Sequence, residues 1–231
     1  VIQRVLLVGL LAGLLAGLLT ATLQHFITTP LILKGEVYEA MQDAAPAAND
    51  QSGHDMAGMD EWKPADGLQR TAFTSLATIA TSAGFALILL AGMLASGDEI
   101  TVRMAFGWSI AAFVATGLAP ALGLAPELPG SAAGPLLARQ IWWVGTAIST
   151  GIALWLFLRS TTVIPKVVAV ILLALPHLIG APQPVAFESK APAELAAHFA
   201  AASLTVQAAL WILSGLAAGA LWMRLDKRAP V

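Results

Sequence analysis

An all-α, polytopic bundle of membrane helices is the fold class that three observations predict. The 231 residues are 58% hydrophobic and 11% charged with a mean hydropathy of +0.77, too apolar for an ordinary soluble domain. Six stretches, 4–27, 71–95, 104–124, 138–158, 163–181 and 199–223, approach or exceed the roughly 20 residues that cross a bilayer. Small residues recur at helical spacing in the first and last of them, the pattern by which membrane helices approach closely. The chain therefore reads as a single membrane domain over 1–231, embedded in the lipid bilayer, with one long loop over 28–70. The third stretch contains Pro120 and the fifth is short and broken by Pro176, so five spans is the alternative to six.

The first span carries Gly9, Gly13 and Gly17 at every fourth residue, with Ala12, Ala16 and Thr20 alongside. On a helix these make one flat face suited to close packing, and the remaining faces are nearly all leucine. Arg4 followed by an apolar run also resembles a signal peptide. Val5 to Leu23 is 19 residues, however, longer than the usual signal core, and no clear A-x-A site follows, so a retained span is expected. The apolar run closes on Gln24 and His25 and is expected to break at Pro30.

Charge orients the bundle. With six spans and both termini cytoplasmic, the inner segments carry Arg4, Arg103, Arg159, Lys166, Arg224, Lys227 and Arg228 in short stretches. The outer segments hold five basic residues (Lys34, Lys63, Arg70, Arg139 and Lys190) in much longer loops. This density satisfies the positive-inside rule. Of the 14 acidic residues only Asp98, Glu99 and Asp226 fall inside, which leaves a strongly acidic outer face that would concentrate cations. A net charge of −2 gives no support for nucleic-acid binding. With no cysteine, disulfides, thiolate metal sites and thiol catalysis are excluded. The chain contains no phosphate-binding G-x-x-x-x-G-K-[ST] loop. No base, nucleophile and orienting group occur together in a span, so an enzyme is not expected.

All four histidines fall on the outer side: His25 ends the first span, His54 lies in the long loop, His177 is near the end of the fifth span and His198 opens the sixth. Imidazole is the commonest ligand of divalent transition metals, although histidines also settle at membrane interfaces for their amphipathic character. The loop adds Met56 and Met59 among Asp55, Asp60 and Glu61. That set suits capture of a soft or borderline cation, and its thioethers suit copper(I). Its bland counterpart is a solvated acidic linker. Pro176 withdraws the N–H that would serve the carbonyl of Leu172, so a free carbonyl beside His177 is expected. No other Asp, Glu, Lys, Arg or His lies in an apolar core, and any route through the bundle must be lined by neutral groups.

Two polar stripes supply such groups. Thr71, Thr74, Ser75, Thr78, Thr81 and Ser82 repeat along the second span, and Ser203, Gln207 and Ser214 share a face of the sixth. Hydroxyls at this spacing more often join helices than line channels. Gly215 and Gly219 form a second close-approach face, open to the first helix or to another copy in a homo-oligomer. Arg139 is a cation on an acidic face, expected to pair with Glu127, while Trp142 and Trp143 read as interfacial anchors.

The blocks QHFITTPLI…EVYE, EW-P-DG-QR, PELPG…RQIWW, LPHLIGAP and PAELA…SL, spread along the whole chain in order, resemble the CbtA-type family of cobalt transporter subunits. The resemblance places Gln24, His25, Pro30, Glu36, Tyr38 and Glu39 in the first block, and Trp62, Gly67 and Arg70 in the second. Pro126 to Gly130, Arg139, Gln140, Trp142 and Trp143 fall in the third, and Pro176 with His177 in the fourth; His198 matches no block. It implies a multi-pass bacterial inner-membrane subunit that takes up cobalt(II) for cobalamin synthesis, with nickel(II) as an alternative ion and no organic cofactor. It also implies a small single-span, histidine-rich companion of the CbtB type, and five spans rather than six. On this reading His25 and His177, with His198 and Gln24, hold the ion after His54, Met56 and Met59 capture it. Two other roles are compatible with the residues. One is a non-conducting assembly subunit that displays the companion on its glycine faces, and the other is periplasmic copper handling.

Overall fold

The computed structural model describes residues 2–43, 64–185 and 191–226. They form seven helices: α1 Ile2–Ile27, α2 Thr29–Asp43, α3 Leu68–Ala95, α4 Val102–Ala121, α5 Leu136–Arg159, α6 Val163–Ile179 and α7 Ala193–Asp226. All but α2 run up and down in alternation as one polytopic membrane bundle.

The core is a three-helix contact of α1, α3 and α7, with α4 completing it. Gly9, Gly13 and Gly17 face Leu87, Ala83 and Ile79, so α1 and α3 lie antiparallel at backbone distance. A Cβ placed on Gly13 would stand 2.2 Å from the Ala83 Cα, and no side chain fits there. The leucines of α1, such as Leu10, Leu14 and Leu18, stay about half exposed, as lipid-facing residues do. On α7 the second glycine face meets α4: Gly215 abuts Ser109, and Gly219 abuts Ala105 and Val102. The partner expected for that face, the first helix or another subunit, is thus replaced by α4. Between these contacts Val8, Ala86, Leu90, Met93, Trp211 and Ala218 form the buried centre, where Phe85 stacks on Trp211 at 4.3 Å between ring centres. Arg4 reaches across to the last turns of α7, donating to the Trp222 carbonyl at 2.6 Å and covering the Trp222 ring.

Helices α5 and α6 form a hairpin beside this core. Trp142 Nε1 donates to Pro176 O at 3.1 Å and Ser149 Oγ to Leu172 O at 2.6 Å, which fixes the antiparallel register. Five helices are long and apolar enough to cross a membrane. The exception among the apolar helices is α6, whose 17 residues rise about 26 Å against a hydrocarbon core of about 30 Å. The five-span alternative thus matches the count by length, while α6 returns beside α5 to the level of Trp142.

Expectations about the helix boundaries change as well. The segment 28–70 is not all loop. Pro30 does not stop the chain but occupies the first turn of α2, where its missing N–H costs nothing, and Thr28 N–H still bonds to Gln24 O at 3.1 Å. The charged residues of α2 hid a helix from a search for apolar runs. Helix α7 starts at Ala193, so His198 lies in its second turn rather than at its opening. Finally, α4 ends at Ala121, three residues short of the expected boundary, after a π turn over Val114–Leu118 that precedes Pro120.

Candidate functional site at the histidine end

The end of the bundle that carries His25 and His177 holds two polar cavities. Gln24 and His25 occupy the last turn of α1, and beyond the break at Thr28 α2 packs against α7, where Leu31 joins Phe199 and Ala202. On the α3 side, Gly67 turns the backbone at a φ of 84°, a conformation that glycine adopts freely, and Ala65 N–H bonds to Gln69 Oε1 at 2.6 Å. This turn delivers Arg70 to Glu36. The guanidinium engages both oxygens of that carboxylate and lies 3.5 Å from Asp66. Glu36 and Arg70, 34 positions apart, thus clasp α2 to α3. The Arg70 hydrogen bonds hold the Glu36 carboxyl below its ordinary pKa, its charge adds to this, and partial burial opposes it.

Two cavities meet at this clasp. One, of about 420 Å³, is lined by Gln24, His25, Thr71, Thr74 and Ser75 as well as Asp66 and Arg70. The other, of about 700 Å³, adds Glu36, Glu39 and Gln69 around the same Asp66 and Arg70. Three carboxylates thus face one guanidinium, and the shared mouth is net acidic. His25 is exposed and its ring stands edge-on to Phe26.

Gln24 is better anchored. Its side-chain oxygen lies 2.7 Å from Thr78 Oγ1, and the same hydroxyl lies 2.9 Å from Thr74 O. One hydroxyl proton cannot serve two acceptors. Turning the Gln24 amide so that its NH₂ donates to Thr78 would satisfy both contacts. Lower on the stripe, Thr78 and Ser82 are buried and bond to carbonyls of their own helix, so that part of it serves packing.

The other candidates stand apart. His177 is half-buried with its ring edge-on to Trp142 at 5.9 Å, and the carbonyl that Pro176 frees on Leu172 is already taken by Ser149. His198 is exposed on α7. Among the described residues no group of three or more His, Asp or Glu side chains lies close enough to chelate a metal ion. His54, Met56, Met59 and Trp62 lie outside the described residues. Arg139 pairs with Glu127 at 2.5 Å, the partner the sequence offered it. Gln140 and Trp143 line a further cavity with them. The Glu36–Arg70 clasp escaped the sequence because α2 did; opposite charges in two separate motif blocks were its only trace.

The fold defines a polytopic helical membrane protein, and one end of it carries a polar, net acidic mouth. The chain belongs to the family described as "Probable cobalt transporter subunit (CbtA)", which matches residues 2–223. Searches of curated proteins and of solved structures found no match.

Proposed function

We propose that this chain takes up cobalt(II), or nickel(II), at the outer face of a bacterial inner membrane and passes it through the helix bundle. The observation that carries this reading, beside the family, is the pair of cavities that share Asp66 and Arg70, one lined by Gln24 and His25 and the other by Glu36 and Glu39. Carboxylates draw a divalent cation in, and a neutral imidazole is the donor that favours cobalt or nickel over magnesium or calcium. His54 with Met56 and Met59 would serve as a capture segment ahead of this mouth. His177 and His198, at the same end of the bundle, would supply further imidazoles once the helices shift on binding. The density of basic residues at the opposite end, among them Arg4, Arg103 and Arg224, supports an orientation with both termini in the cytoplasm. A small single-span, histidine-rich companion is the partner this reading expects.

The test is accumulation of radiolabelled cobalt at trace concentration in transport-deficient cells, with and without the companion. The chain, alone or with the companion, is expected to restore uptake. His25→Ala combined with His177→Ala is expected to abolish it while leaving the protein in the membrane. Undiminished uptake by the double variant would refute the histidine site. No uptake by either combination, with both proteins inserted, would refute the transport role.

A further inference from the structure

Towards the end opposite the His25 mouth, a groove of about 320 Å³ opens between α3, α4 and α5. Small residues build it. A Cβ on Gly92 would stand 2.7 Å from the Trp108 ring, so glycine at that position lets the indole of α4 rest against α3. Trp108 and Trp155, with ring centres 6.0 Å apart, line the groove, and the buried Leu89 and Trp211 form its floor. Gly107 on α4 and Gly151 on α5 are exposed, and a Cβ on either meets nothing within 4 Å, so the groove is open along its side. Apart from Asp98 and Arg159, its lining is aliphatic, glycine or tryptophan. The charges sit at one end. Arg159, the last residue of α5, donates to Asp98 through Nη2 and lies over the Trp155 ring, 4.9 Å from its centre. Asp98 thus occupies one of five N–H donors, and the others meet no acceptor among the described residues. Arg103 lies four residues before Gly107 and eight before Ala111, on the face of α4 that lines the groove. It is exposed and has no ion pair among the described residues.

We propose that this groove binds one acyl chain of an anionic phospholipid, whose headgroup phosphate meets Arg103 and Arg159. The proposal is independent of the transport reading. An apolar trough between membrane-spanning helices is filled by lipid or by protein, and its size decides between them. A spanning helix about 10 Å across and 30 Å long fills roughly 2,000 Å³. The groove offers about 320 Å³, room for a chain and not for a helix. Its aliphatic and tryptophan walls match the chemistry of that chain. The arginines select the headgroup, because a guanidinium presents a planar fork of donors that fits phosphate oxygens. Around this end Arg103, Arg159 and Lys166 stand against Asp98 and Glu99, which favours an anionic headgroup over a zwitterionic one. The Trp155 ring under Arg159 holds one guanidinium at the groove's end. The bound lipid joins the α5–α6 hairpin to the core formed by α3, α4 and α7.

The test reconstitutes the full chain into vesicles of equal phosphatidylglycerol and phosphatidylcholine, re-extracts it into mild detergent and weighs it with its retained lipid by native mass spectrometry. One phosphatidylglycerol per chain is expected, in about tenfold excess over phosphatidylcholine, the scale of one charge-assisted hydrogen bond. Arg103→Gln should reduce that excess several-fold. Gly151→Leu should release lipid of both kinds by filling the trough from α5. Gly107→Leu should do the same from α4, and it keeps the test intact if the first change impairs insertion. A native chain that retains no lipid, equal retention of the two lipids, or undiminished retention by a folded leucine variant would overturn the proposal. So would a dimer that Gly151→Leu dissociates, which would assign the groove to a second copy of the chain.

Discussion

At the scale of single residues, ion pairs close the loops that join the helices. Glu36–Arg70 holds α2 over the mouth of the bundle, and Asp98–Arg159 joins the α3–α4 turn to the end of α5 at the opposite end. Both Glu36 and Asp98 are held below their ordinary pKa, chiefly by hydrogen bonds from their arginine partners. A depressed carboxylate stabilises the fold above its ordinary pKa and loses that contribution as pH falls through the depressed value. Glu36→Gln should therefore lower stability in detergent by about 0.2–1 kcal/mol at neutral pH, the range for partly exposed pairs. The difference from the native chain should fade below the ordinary carboxylate range, and thermal unfolding at a series of pH values would read it. Glu127–Arg139 was legible in the sequence because the two residues flank one short turn, whereas Glu36–Arg70 required a helix that carries too many charges to stand out as apolar.

At the scale of elements, small residues decide which helices touch. Gly13 and Gly84 lie on the facing pair α1 and α3, yet a Cβ on Gly84 meets nothing within 4 Å while one on Gly13 meets the Ala83 backbone. Gly13→Ala should cost about 1–3 kcal/mol of stability, the typical penalty of overpacking, and Gly84→Ala should be tolerated. Unfolding of the two variants in detergent compares them directly. Gly13→Leu is expected to destroy the fold of the chain itself, which a display role for that face would not require. The periodicity of Gly9, Gly13 and Gly17 announced a close contact but not its partner, because spacing within one helix says nothing about which neighbour fills it. Pro176 shows the same limit. The sequence exposed the freed Leu172 carbonyl, and Ser149, 23 positions earlier on another helix, consumes it.

At the scale of the whole molecule, polarity is sorted by end. The histidine end carries Glu36, Glu39, Asp66 and Glu127, and the opposite end carries Arg4, Arg103, Arg159 and Lys166. The chain has no cysteine of its own, so single cysteines report orientation without background. Glu39→Cys should react with a membrane-impermeant maleimide in intact cells, and Glu99→Cys only after lysis; the reverse pattern would invert the topology. The all-helical bundle was legible because apolar length is written locally. The mouth was not, since it depends on α2 folding back and on two motif blocks meeting in space.

The α5–α6 hairpin has a consequence for how the protein is made. Alone in lipid, α6 would be too short to span comfortably and would expose the Leu172 carbonyl, which its own backbone does not satisfy. Ser149 on α5 satisfies that carbonyl, and Trp142 adds a second hydrogen bond to Pro176 O. We expect α5 and α6 to partition into lipid better as a pair than α6 does alone, which insertion of α6 with and without α5 would measure.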